Sequence, residues 1–304
     1  MSKTTTTQKW TLASVALTDA YTDFILSRQA MNCTPATLEF YKHTAGAFLS
    51  WVEAQGVTSP EEVTARLIRG YLAGLLAAGR KDTTLHANAR AIRTLVRFWH
   101  SEKYIPENIR FDMPKLEKKR LPVLTAEQLG QIVKVCNVRD KALIWFMADS
   151  GLRRRETINL NWGDVDMSTG LVRVRQGKGK KDRSAVIGAT TRRALLAYRR
   201  SNSHHGTLKN DAPLFQTREG KRFASDGFIQ IFNRIEKRTG IHITPHILRR
   251  TFTILSLRAG MDALHLQRLG GWASLAMVEH YAQMEDIDLL QAHKEHSPID
   301  SLKG

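Results

Sequence analysis

Residues 244–281 read TPHILRRTFTILSLRAGMDALHLQRLGGWASLAMVEHY, and this stretch decides how the rest of the chain is read. Thr244 can accept a hydrogen bond as a helix N-cap, and Pro245 suits the first helical position. His246 and Arg249 then stand three apart on one helix face. Gly260 and the pair Gly270 and Gly271 break the remainder into short helices, and the stretch closes on Trp272 and a lone Tyr281. A His, an Arg, a Trp and a Tyr gathered in this way suit one half of a phosphate-handling site with Tyr281 as nucleophile. The other half must lie upstream.

Three features upstream bear on it. GLRRRE at 151–156 ends an apolar helix at Gly151 and places three arginines at the next turn. A guanidinium there can hold two phosphate oxygens in a fork. Glu156 lies three residues after Arg153, within reach to orient it; as structure alone, the pair is an ordinary ion pair at a basic turn. GKGKKDR at 177–183 is a lysine-loaded tip between Val172, Val174 and Val186, Ile187, which reads as a two-stranded hairpin. It lacks the glycine spacing and the Ser or Thr of a nucleotide-triphosphate loop, and it does not fit the dinucleotide fingerprint. A flexible lysine tip can deliver an ammonium to a leaving oxygen; the plain reading is a solvated turn.

Composition narrows the partner. The 304 residues carry 46 Lys and Arg against 29 Asp and Glu, a net charge of +17, with 42% hydrophobic residues. A chain of that length has room for two cores, and the apolar fraction argues against wholesale disorder. The charge predicts a polyanion, and nucleic acid is favoured over a membrane surface because the basic residues spread along the whole chain. No apolar run approaches a membrane span and no signal-peptide core is visible, so a cytosolic protein is expected. Cys33 and Cys136 form neither a disulfide framework nor a zinc pattern and are expected to be buried thiols. His242 and His246 stand four apart without acidic or Cys partners, so no metal is expected. No Gly-x-Ser-x-Gly elbow supports a serine hydrolase.

Taken in order, 1–9 is a low-complexity start expected to be disordered. A helix is predicted over 12–30 with Val15, Ala16, Tyr21, Phe24 and Ile25 inward. A second follows Thr34 and Pro35, carrying Leu38, Tyr41, Ala45, Phe48, Leu49 and Val52. Ser59, Pro60, Glu61 and Glu62 predict the start of a third, and Asp82 that of a fourth. The fourth carries Arg90, Arg93 and Arg97 on one face; with Arg80, Lys81 and Lys103 these can track a phosphate backbone, although such a face alone is usually just solvated. Pro106, Pro114 and Pro122 forbid one helix over 106–124, and the run Lys118, Lys119, Arg120 makes this an extended basic linker. Thr125 and Gln128 fit a capping box that opens a second domain. That domain is predicted mostly helical, with helices at 142–148, 190–200 and 226–238 and a strand-like segment at 213–216.

In order and spacing, GLRRRE, GKGKKDR, HILR at 246–249, LGGW at 269–272 and a Tyr nine residues beyond that Trp resemble the tyrosine recombinase (phage integrase) family, in its compact, Xer-like two-domain form. The resemblance covers nearly the whole chain. It implies a mainly α protein: a helical, SAM-like core-binding domain at 10–105, the linker, and a catalytic domain of DNA breaking-rejoining fold at 125–284 with a small antiparallel sheet. The tail at 285–304 reads by itself as a terminal helix; the family implies docking on a neighbouring subunit. Position by position, Arg153 matches the first catalytic Arg, Lys178 the hairpin Lys, His246 and Arg249 the His-x-x-Arg pair, and Tyr281 the nucleophile, with Glu156 supporting Arg153. Trp272 stands where the family commonly has His, and the resemblance implies that its indole N–H takes over the donation to a phosphate oxygen; Arg250 stands where His is frequent. Lys180 and Lys181 join the candidates for DNA contact.

The implied reaction is site-specific recombination of double-stranded DNA by a tetramer, for integration, excision or resolution. It passes through a 3′-phosphotyrosyl link that conserves bond energy, so neither ATP nor a metal cofactor is implied. An accessory DNA-bending protein or a partner recombinase fits the same picture. A type IB topoisomerase-like strand relaxation and a catalytically silent architectural protein are the competing readings.

Overall fold

The computed structural model describes residues 15–117, 122–175, 182–201 and 209–281, then Leu290, His293, Lys294, Ser297 and Ile299; at 280 and 281 it describes the backbone alone. The chain divides into two compact units, 1–119 and 120–304.

Among its described residues the first unit holds four α-helices, α1 (Leu17–Ala30), α2 (Pro35–Glu53), α3 (Ala65–Ala77) and α4 (Asp82–Ser101). The long α4 packs against the other three. Phe24, Phe48, Val52, Ile68, Ile92, Leu95 and Trp99 are fully enclosed in the core, and the Trp99 indole donates to the Ala20 carbonyl at 3.3 Å. Thr34 caps α2 by accepting from the Thr37 amide at 3.3 Å, with Pro35 at its first position.

Two readings in this unit need correction. The inward stripe of α1 is Leu17, Ala20 and Phe24; Ala16 is exposed at its N-cap, and Val15, Tyr21 and Ile25 are only partly covered. The stretch beginning at Ser59 makes only a 3-10 turn over Pro60–Glu62. The Glu62 carboxylate accepts from the Thr58 amide at 2.9 Å and from the Thr58 and Ser59 hydroxyls, folding back on the preceding chain. Val63 then turns extended and buried, and α3 starts afresh on Thr64, which accepts from the Leu67 amide.

Residues 106–117 are without helix or strand, yet they are attached to this unit. Phe111 is buried in its core, and Arg93 both lies 5.4 Å over that ring and donates to the Phe111 carbonyl at 2.9 Å. The basic run Lys118, Lys119, Arg120 lies outside the described residues.

The second unit contains α5 (Ala126–Lys134), α6 (Val138–Ser150), α7 (Arg154–Asn159), the antiparallel strands β1 (Leu171–Val174) and β2 (Arg183–Val186), α8 (Ala189–Ser201), α9 (Ser225–Thr239), α10 (Pro245–Arg258), α11 (Ala263–Gly270) and α12 (Leu275–Tyr281). Its axis is α6, whose Ala142, Leu143, Ile144, Phe146 and Met147 are fully buried, with α8 and α10 alongside. The capping box at Thr125 and Gln128 forms in both directions, at 3.0 and 3.1 Å. In the hairpin Leu171 pairs with Val186 and Val174 with Arg183.

The expected strand at 213–216 is absent. Pro213 and Gln216 make single bridges to Asn161 and Arg222, while Leu214 and Phe215 between them are plugged into the core. Cys33 and Cys136 are half-buried free thiols, less enclosed than expected. Burial, helped by Asp140, pushes the Cys136 thiol up to about 11.

Candidate active site

The second unit brings four separated pieces of sequence to one place. Gly151 ends α6 in the left-handed conformation, φ 60°, and a Cβ there would stand 2.2 Å from Cδ1 of Phe252. The chain therefore turns closely enough under α10 for Arg153 to sit at the N-cap of α7. The Glu156 carboxylate, 8% exposed, accepts from the Arg153 amide and from its guanidinium, both at 2.8 Å. The short helix is thus capped by its own acid, which at the same time orients Arg153.

On α10, Thr244 caps as the sequence predicts, accepting from the Ile247 amide at 3.2 Å with Pro245 at the first position. His246 is exposed on that first turn, while Arg249, one turn on, is 3% exposed. The Arg249 guanidinium donates to the carbonyls of Gly151 at 2.6 Å and Gly270 at 2.7 Å. Arg153 reaches the next carbonyl, that of Gly271, at 2.9 Å. Two arginines 96 positions apart thus converge on one two-glycine turn (249 minus 153).

The sterics of that turn require both glycines. A Cβ at Gly270 would lie 1.7 Å from the Trp272 ring. Gly271 has φ 63°, and a Cβ there would lie 2.5 Å from Cδ and Nε of Arg183. Trp272 itself is 5% exposed in a small apolar cluster with Phe252, Leu266 and Val278, its ring 4.2 Å from the Arg249 guanidinium.

Arg183 is the member of this cluster to which the sequence reading gave no role. It donates to Glu156 at 2.7 Å and to the Leu269 carbonyl at 2.6 Å. The available signal was strand parity: Arg183, Ala185 and Ile187 alternate on the inward side of β2, an unusual place for an arginine without a partner. Burial raises the Glu156 carboxyl, but the Arg183 charge and the bonds from Arg153 outweigh it and hold the group below its ordinary range. Burial lowers the Arg183 guanidinium, against the opposing pull of Glu156.

Tyr281 is the last residue of α12, whose Val278 joins the Trp272 cluster. Lys178, Lys180 and Lys181 lie outside the described residues. Of the DNA-contact candidates in the first unit, Arg80, Lys81 and Arg97 are exposed; Arg90 is exposed with its guanidinium 5.3 Å over Phe40. Arg93 turns inward to Phe111 and is not displayed with them. His242 pairs with Glu236 at 2.9 Å.

Comparison with known proteins agrees with this architecture. The model described as the phage integrase family matches residues 122–287, and the chain belongs to that family of tyrosine recombinases. It is 30% identical to tyrosine recombinase XerC of Thermodesulfovibrio yellowstonii over 277 residues, 86% of this chain and 90% of the relative. It is 28% identical to XerC of Bacillus subtilis, covering 88% and 92%. Among solved structures, XerH recombinase bound to a palindromic difH substrate superposes with a TM-score of 0.70 at 21% identity, covering 90% of this chain and 83% of that one. A lambda integrase dimer on a COC′ core site gives 0.72 at 18%, covering 88% and 95%. At these identities the two structures establish the shared fold.

Proposed function

We propose that this tyrosine recombinase cuts and rejoins double-stranded DNA at paired specific sites, with the second unit as catalytic domain and the first as core-binding domain. The observation that carries the proposal is the convergence of Arg153 and Arg249 on the carbonyls of Gly271 and Gly270. It gathers two fixed positive charges where a phosphodiester under attack gains negative charge.

In this reading Tyr281 attacks the phosphorus and the bond to the 5′ oxygen breaks, leaving a 3′-phosphotyrosyl link and a 5′ hydroxyl. His246, exposed at the start of α10, takes the phenol proton. Lys178 returns a proton to the leaving 5′ oxygen. Arg153 and Arg249 hold the nonbridging oxygens. Arg249 is 3% exposed, with the Gly270 carbonyl and the Trp272 ring against its guanidinium. A 5′ hydroxyl from a second duplex then reverses the step, which needs neither ATP nor a metal.

The wider assembly is a homotetramer on two sites, with Arg80, Lys81, Arg90, Arg97 and the basic run at 118–120 along the DNA backbone in the cytosol. An accessory DNA-bending protein or a second recombinase would complete it. The two solved relatives are complexes with DNA sites, which supports this reading.

The test is a plasmid carrying two copies of the site, the site first recovered from random duplexes by the parent protein. Exchange of markers between the copies is expected, and Lys178→Ala should slow it by about a hundredfold. Loss of supercoils without exchange would instead indicate a relaxing enzyme.

A further inference from the structure

Glu156 binds two guanidiniums at once, Arg153 through Oε1 at 2.8 Å and Arg183 through Oε2 at 2.7 Å. The acid is 8% exposed and Arg183 13% exposed, so neither charge is dispersed by water. Two cations and one anion leave the trio with a net charge of +1.

Geometry adds a second consequence. Oε2 accepts from Arg183 and from the Arg153 amide, Oε1 accepts from one nitrogen of the Arg153 guanidinium, and Arg183 also fixes the Leu269 carbonyl just before the turn that Arg153 and Arg249 share. The residue enters from β2, whose partner strand bounds the lysine tip on its other side. One guanidinium thus ties the loop end of the hairpin to the glycine turn.

We propose that Arg183 is a positioning residue: it holds Oε2 of Glu156 so that Oε1 stays aligned on the Arg153 guanidinium. The inference rests on the reading that Arg153 meets a phosphate. Arg183 itself contacts no reacting atom in this scheme; it acts on Arg153 through Glu156, and its bond to the Leu269 carbonyl is lost equally in both backgrounds of a Glu156 mutant cycle.

That dependence makes a mutant cycle decisive. Arg183→Gln, Glu156→Gln and the double variant are compared with the parent in two measurements. One is calorimetric affinity for inorganic phosphate, and the other is the rate of covalent adduct formation on nicked random-sequence duplexes, with melting temperatures recorded throughout. Arg183→Gln should lower both by about tenfold or more. In the Glu156→Gln background, removing Arg183 should change either by much less, about twofold, because no carboxylate is left for Arg183 to hold against Arg153.

An equal loss in both backgrounds would overturn the proposal, since Arg183 would then act directly or as a plain structural clamp. So would an Arg183→Gln protein that matches the parent. Should Arg183→Gln fail to fold, a tenfold loss between Glu156→Gln and the double variant, which buries no unpaired carboxylate, would still overturn the proposal. If the parent forms no adduct while the phosphate cycle behaves as stated, the strand-cleaving reading falls and the role of Arg183 stands. If adducts form and the cycle is flat, the reverse holds.

Discussion

At residue scale the glycine pair is the tightest constraint on the site. Gly271 is both left-handed and pressed against Arg183, whereas Gly240 is left-handed with nothing within 4 Å of its Cβ position. Alanine at Gly240 should therefore cost only backbone strain, about 1 kcal/mol. Gly271→Ala must also displace Arg183 and should cost about 3 kcal/mol in a denaturant titration; equal losses would contradict the steric account. Trp272→His replaces a ring packed among Phe252, Leu266 and Val278 by a smaller polar one, so a lower melting temperature is expected whatever happens to the reaction. The pairing of Arg153 with Glu156 was legible because helical spacing places the two side by side, whereas the carbonyls that Arg249 holds, 98 and 21 positions away, were not. Arg183 was not, because its partners Glu156 and Leu269 lie 27 and 86 positions away and strand parity alone does not name them.

At the scale of elements, Glu156 joins the start of α7 to β2, and that joint is sensitive to acid. Its carboxyl titrates below its ordinary value in the folded chain, so the unfolded chain binds a proton first as pH falls. The joint's contribution is complete above the unfolded value of about 4.3 and disappears as pH drops through the lower folded value. Melting temperatures taken from neutral pH down past that range should fall more steeply for the parent than for Glu156→Gln; parallel curves would contradict this. Helix starts at Thr34, Thr125 and Thr244 were readable from the sequence because each cap is a local bond between a side chain and an amide three residues on. The start near Ser59 misled because Glu62 satisfies the preceding loop at Thr58. The strand-like segment at 213–216 stops at single bridges to Asn161 and Arg222 because the apolar pair between them fills the core.

For the molecule as a whole, the two units and the charge of +17 define what it can meet. Among the described residues no helix is long and apolar enough to cross a membrane. Binding to duplex DNA should weaken linearly in log–log form as salt rises, by about 0.9 per phosphate neutralised; a salt-independent affinity would detach the charge from the function. The helical bundles and the hairpin were visible in periodicity, and the family in the order of its motifs. The attachment of 106–117 was not, because an extended segment shows no period and Phe111 meets Arg93 across 18 positions. The central claim is that strand cleavage passes through Tyr281 at the arginine cluster. A nicked duplex carrying the site should leave a nucleotide bonded to the peptide containing Tyr281, read by mass spectrometry. Tyr281→Phe should show none while still retaining DNA, and an adduct that persists in that variant, or maps to another residue, would contradict the account.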